Sequence, residues 1–299
     1  MDGRSWAFAT SGSTGQPVVW HRTPGQIAAE AGLLADLCQA RDDGVDGVVS
    51  FAPLHHLYGH LMGIAVPTTL GVPCRLVSVT APLRWAFAGL RRPLVAAMPA
   101  AIASLQHSVG LLRGLDEIVL VHGSAVLTPA TATLLGDLAG RARLVDLFGS
   151  TETGLVGYRR SPDAAWTPAP DVTLAEEPGT GRLIVRGPRI ATRPGSPART
   201  SAVLEDLVSV NPDGTFCWSG RSNRLLKING RRVHLDQVEA ALHSRVPGAT
   251  ARCQPAVDPR RGEWFDVHVA GADPAEVADV ERACRSLPAW QRPRTVRAA

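Results

Sequence analysis

Lysine is almost absent from this chain of 299 residues: of its 31 basic side chains 30 are arginine and one is lysine, Lys227. The basic residues are spread out, and no stripe interleaves arginine with aromatics, so a nucleic-acid surface has no support. The five cysteines, at 38, 74, 217, 253 and 284, form no C-x-x-C pair. An odd, dispersed set of this kind reads as free thiols in a reducing compartment. No apolar run reaches the ~18 residues that a membrane span needs. The start, MDGRSWAFAT, lacks the charged-then-apolar form of a signal peptide. The expectation is a cytoplasmic protein with no membrane and no nucleic-acid partner. Internal repeats and low-complexity tracts are also missing. A Walker loop is excluded because no G-x-x-x-x-G-K-[ST] occurs.

What is present is organisation. The chain is long enough for two units, since single cores stop growing near ~250–300 residues. SWAFAT (5–10) reads as a short buried strand. Thr23-Pro24-Gly25-Gln26 is a capping-box start with proline at the first helical position. Ile27, Ala31, Leu34 and Cys38 fall at helical spacing and predict a helix to about Ala40. GVVSF, CRLVSV, PLVAAMP, EIVLVHG and RLVDLFG are strands, separated by helices at about 58–70, through IASLQHSV, and at 128–139. This alternation predicts an α/β fold, a mostly parallel sheet with helices on both faces. From about 155, glycine, proline and short β runs take over, with GRLIVRGP and a hairpin in DLVSVNPDGTFCWSG. RLLKINGRRVHLDQVEAALHSRV reads as strand, Asn-Gly turn, strand, helix. RCQPAV, WFDVHVAG and a helix near 274–286 complete a small α+β unit. The boundary is expected at Arg221–Asn223, giving units of 1–220 and 221–299.

Two stretches could carry chemistry. Thr10, Ser11, Gly12, Ser13, Thr14 and Gly15 offer backbone N–H groups and short hydroxyls, which suits phosphate. A surface linker has the same composition. His56 and His60, four apart, could share a helix face as metal ligands do, but no Cys or Glu cluster stands nearby in sequence. A satisfied structural histidine is the other reading.

Five segments in order resemble the motifs of the adenylate-forming (ANL) superfamily of AMP-forming acyl/aryl-CoA ligases and adenylation domains. They are TSGSTGQP (10–17), PLHHLYG (53–59), DLFGSTETG (146–154), LEDLVSVNPDG (204–214) and GRSNRLLKINGRRVHLDQVE (220–239). The resemblance spans nearly the whole chain. It implies ATP-dependent activation of a small carboxylic acid as an adenylate, with transfer to CoA or to a phosphopantetheine carrier protein. Residues 10–15 would cradle the departing phosphates and Glu152 would hold Mg²⁺. Thr151 would meet the α-phosphate. Asp146 would contact the adenine amino group, and Phe148, in place of the family's tyrosine, would stack on the base. Asp206 and Arg221 would hold the ribose. His56, Tyr58, Ser124 (in VHGSAVLTP) and Gly149 would shape the acid pocket. Lys227 falls where the family has the lysine that faces the site during thiol transfer. The resemblance also implies differences. Val18 stands where the loop has lysine, and Asn223 stands at the hinge. Few residues precede the loop, and LPAWQRP is not followed by the family's last lysine segment. Two other readings follow from these: a non-catalytic relative that binds nucleotide or an acyl group, or a half-enzyme whose N-terminal subdomain comes from a partner chain.

Overall fold

The computed structural model describes residues 5–11, 17–42, 44–123, 127–222, 224–229, 231–258, 262–270 and 273–299. Gly12, Ser13, Thr14, Gly15, Ser124 and Asn223 lie outside the described residues.

The first strands, β1 (Trp6–Ser11) and β2 (Pro17–Arg22), pair antiparallel as a hairpin of their own. The expected buried strand is half-buried instead. Phe8 is buried, while Trp6, on the same face at the first position of the strand, remains 47% exposed. The helix Pro24–Leu37 starts on the expected capping box, with Thr23 accepting from the Gln26 N–H and Gln26 from the Thr23 N–H. It ends three residues before Ala40, where Gln39 takes φ +49°.

The central sheet collects β3 (Gly47–Ser50), β4 (Cys74–Leu76), β5 (Pro93–Ala97), β6 (Ile118–His122), β7 (Ala142–Ser150), β8 (Gly154–Arg159) and β9 (Thr167–Pro168). Their order is β4-β3-β5-β6-β7-β8-β9. β4 to β7 run parallel, and β8 and β9 return antiparallel. The inner strands are apolar throughout because both faces are covered. On β5, Leu94 and Ala96 join one core with Leu34 and Leu61, while Val95 and Ala97 join another with Phe87, Ile102 and Leu134. The helix expected at 58–70 is present, but its middle turn, Leu61–Ala65, is a wider π turn. It comes just ahead of Pro67, which has no N–H to continue the narrower ladder. CRLVSV gives only the short edge strand β4, which stops at Leu76.

A second, antiparallel sheet follows: β10 (Thr173–Glu176), β11 (Arg182–Arg186), β12 (Ser201–Val210) and β13 (Phe216–Arg221). Its core, with Trp166, Val185 and Phe216, also takes in Val156 of β8. The last part holds the hairpin β14 (Leu225–Ile228) and β15 (Arg231–His234), then β16 (Ala251–Asp258), β17 (Gly262–Val269) and β18 (Val296–Ala298). Asn229 takes φ +50° at the hairpin turn, the left-handed position that asparagine tolerates. Helices Leu235–Arg245 and Pro274–Arg285 cover a separate core drawn from residues 226–287. Among the described residues no helix is long and apolar enough to cross a membrane.

Candidate active site

The parallel strands end on one edge of the sheet, and there the chain opens. In open α/β sheets, ligands bind in crevices outside the carboxyl ends of the strands. Two cavities lie there, of about 390 Å³ and 260 Å³, and Leu147, Phe148, Gly149 and Lys227 line both. The end of β7 is thus the wall between them.

That wall is shaped by glycine. A Cβ on Gly149 would sit 2.3 Å from the Gly154 carbonyl oxygen. Gly154 itself takes φ +70°. Between the two, Thr153 N–H donates to the Ser150 hydroxyl at 3.3 Å, which turns the chain back and places Thr151 and Glu152 at the bend. Thr151 lines the larger cavity.

The smaller cavity is aromatic and charged. The Phe148 ring lies 5.3 Å from both Trp166 and Phe216. The Arg159 guanidinium sits 4.3 Å over Trp166. Asp206 accepts from Trp218 Nε1 (2.9 Å) and Arg221 Nε (3.1 Å), both on Oδ1; its Oδ2 accepts from no described residue. Asp146 lines this cavity too, but its oxygens are committed: His122 Nδ1 is 2.9 Å from Oδ1, and Arg159 Nε is 2.8 Å from Oδ2. The side chain expected to meet an adenine amino group therefore acts first as a buried anchor for His122 and Arg159. Neither partner was identified from the sequence.

The larger cavity is mostly apolar at depth, with Leu34, Leu61, Met98 and Leu155. Tyr58 lines it with its ring. Its hydroxyl donates to the Val121 carbonyl at 2.9 Å, and burial pushes its pKa well above the usual tyrosine value. His56 lines it at the start of the helix; burial, then His55 and Arg231, lower its pKa. His60 is turned elsewhere, packed 4.3 Å from Trp6 and 5.5 Å from Phe8. Among the described residues no three His, Cys, Asp or Glu side chains are grouped to hold a metal. Thr10 reaches this cavity, but its hydroxyl donates to Val18 O and accepts from Trp20 Nε1.

The β14–β15 hairpin closes the site. Lys227 and Arg232 are direct cross-strand partners. Lys227 Nζ donates to the Gly149 carbonyl (3.4 Å), and Arg232 pairs with Glu152 Oε1 (2.5 Å). Burial lowers the Lys227 pKa to about 8; Arg221 and Arg232 push the same way, against Asp206 and Glu152. Burial works against the Glu152 carboxylate, but the charge and hydrogen bond of Arg232 outweigh it and hold its pKa below the usual range. Arg231 lies 4.1 Å over Trp290, and both line the larger cavity, another pairing the sequence did not reveal.

The wide α/β sheet thus opens at its strand ends onto an aromatic, acid-bearing cavity joined to an apolar one, with Lys227 at the junction. The family described as AMP-binding enzyme matches residues 8–191, more than half of the chain, and the chain belongs to it. The 4-coumarate–CoA ligase of Cereibacter sphaeroides is 30% identical over 295 residues, 96% of this chain and 66% of that protein. The chain thus spans about two thirds of that relative's length. The L-proline–[L-prolyl-carrier protein] ligase of Pseudomonas fluorescens is 27% identical over 167 residues, 48% of this chain and 33% of that one. Among solved structures, a malonyl-CoA ligase ternary product complex with methylmalonyl-CoA and AMP superposes with TM-score 0.72 at 25% identity, covering 98% of this chain and 70% of that chain.

Proposed function

We propose that this protein uses ATP to activate a carboxylic acid as an acyl- or aryl-adenylate and passes the acyl group to a thiol, that of CoA or of a carrier protein. The junction of the two cavities at Gly149 and Lys227 carries this reading. An adenylate is a mixed anhydride of two unlike halves, and this junction offers each half its own compartment. The adenosine half takes the aromatic cavity, with Phe148 against the base and the free oxygen of Asp206 toward the ribose hydroxyls. Arg221 holds that carboxylate in place and Asp146 supports the wall. The acyl half takes the apolar cavity with His56, Tyr58 and Gly149, and Ser124 serves the same half.

Two anions must meet in the first step, so charge has to be neutralised and the pair held in line. Thr151 faces the reacting phosphate, and residues 10–15 cradle the leaving phosphates. Glu152 fits a Mg²⁺ ligand: Oε2 is buried and no described residue bonds it, and a hard cation prefers carboxylate oxygen. The ion, when bound, supplies positive charge to the phosphate oxygens. Lys227 serves the second step, in which the thiol displaces AMP. Residues 1–220 form the large unit and 221–299 the small one that carries Lys227 to the junction.

The Asp206→Ala variant tests the adenosine assignment. Each hydrogen bond to a charged group is worth roughly 1.5–3 kcal/mol. Calorimetric titration with AMP should show affinity reduced by about tenfold or more, with inorganic pyrophosphate binding unchanged. Equal AMP affinity in parent and variant would remove Asp206 from the site.

A further inference from the structure

We infer that Lys227 is also a self-acylation site, whose amine takes the acyl group from an acyl-adenylate held at the junction of the two cavities. The inference rests on the proposed adenylate chemistry and goes beyond it. Lys227 is the sole lysine of the chain and lines both cavities. Its Nζ points at the Gly149 carbonyl, on the wall that separates them. A mixed anhydride spanning that wall has its carbonyl carbon at the wall, on the same ground as the amine.

The charged groups facing Lys227 are Arg221, Asp206, Arg232 and Glu152. They are matched among themselves. Arg221 pairs with Asp206 and Glu263, and Arg232 with Glu152. No described carboxylate lies within ion-pair distance of Nζ. The amine is therefore not pinned as an ammonium, and its pKa of about 8 leaves an appreciable neutral fraction near neutral pH. Buried lysines of this kind are the nucleophilic ones.

The step balances simply. The lone pair of neutral Nζ attacks the acyl carbon and a C–N bond forms. The C–O bond to the α-phosphate breaks, AMP leaves with that electron pair, and the extra amine proton passes to solvent. The product amide carries no charge and occupies the junction, so thiol transfer stops in that molecule. A thiol that arrives promptly outcompetes the amine; a stalled adenylate is captured by it.

The experiment uses the full chain and synthetic benzoyl-adenylate, which bypasses the unknown acid. Intact mass and peptide mapping should show one benzoyl group per chain, on Lys227. The rate should rise with pH through about 8. AMP at about ten times its Kd should slow it ~10-fold by mass action. Lys227→Arg should lose the modification, and the AMP competition keeps the test valid even if that variant folds poorly. Acylation confined to the N-terminal amine, or labelling of Lys227 that AMP leaves unchanged, overturns the inference. A thermal shift with AMP in the same samples separates the two readings. AMP binding without acylation overturns self-acylation alone, whereas no AMP binding overturns the adenylate reading and this inference with it.

Discussion

Replacing Glu30 by alanine should destabilise the protein by about 3–5 kcal/mol, the usual effect of removing one partner from a buried ion pair. Glu30 is 2% exposed and sits between two guanidiniums that are just as deep, Arg22 at 0% and Arg189 at 1%. Arg22 donates to Oε2 at 2.6 Å, the Leu155 N–H donates to Oε1 at 2.7 Å, and Arg189 lies 3.5 Å from Oε1. Arg189 is further held by Asp171 at 2.6 Å, but Arg22 has no second carboxylate within ion-pair distance among the described residues. Without Glu30, Arg22 becomes an uncompensated buried charge. The same carboxylate presses on Gly154, where an added Cβ would come within 2.4 Å of Oε2. The network therefore sets the bend that presents Thr151 and Glu152. Urea unfolding followed by circular dichroism measures the effect. A loss below about 1 kcal/mol, within the range of exposed pairs, would show that the cluster does not hold this region.

Lys227→Met should separate the two half-reactions. The side chain keeps its length and loses its charge, so packing of β14 against Gly149 is largely retained. Removing one preorganised charged donor from a reacting centre slows chemistry by ~10²–10³. Transfer of the acyl group from preformed adenylate to CoA or pantetheine should fall by that factor in single-turnover assays. AMP affinity should change by less than ~3-fold, since phosphate and base contacts lie elsewhere. Equal losses in both steps would place Lys227 in adenylate formation as well. No loss in either would make it a packing residue.

Much of the architecture was legible because it is local. The Thr23–Gln26 capping box, the Asn-Gly turn and the apolar runs of β3, β5 and β6 each state their structure within a few residues. The ordered motifs also come together at one place in the fold: Gly149, Thr151, Asp206, Arg221 and Lys227 line the two cavities. What stayed hidden depends on pairs distant in sequence. Glu30 meets Leu155 and Arg189, Asp146 meets His122 and Arg159, and Arg231 meets Trp290. No periodicity announces such partners, since each is chosen by the tertiary fold. Asp146 illustrates the consequence, because a motif supplies a residue type while its neighbours decide whether the side chain is free. Trp6 shows the converse: apolar identity alone read as burial, yet at the first position of its strand it stays half exposed although it shares a face with buried Phe8.

The most direct test of the central claim is ATP–pyrophosphate exchange by the purified chain with a panel of carboxylic acids, including 4-coumarate, malonate and proline. Exchange reports the reversible formation of an adenylate and needs no thiol. The account predicts exchange that depends on one class of acid and on Mg²⁺, and that is abolished by excess AMP. ATP binding with no acid-dependent exchange across the panel would contradict it.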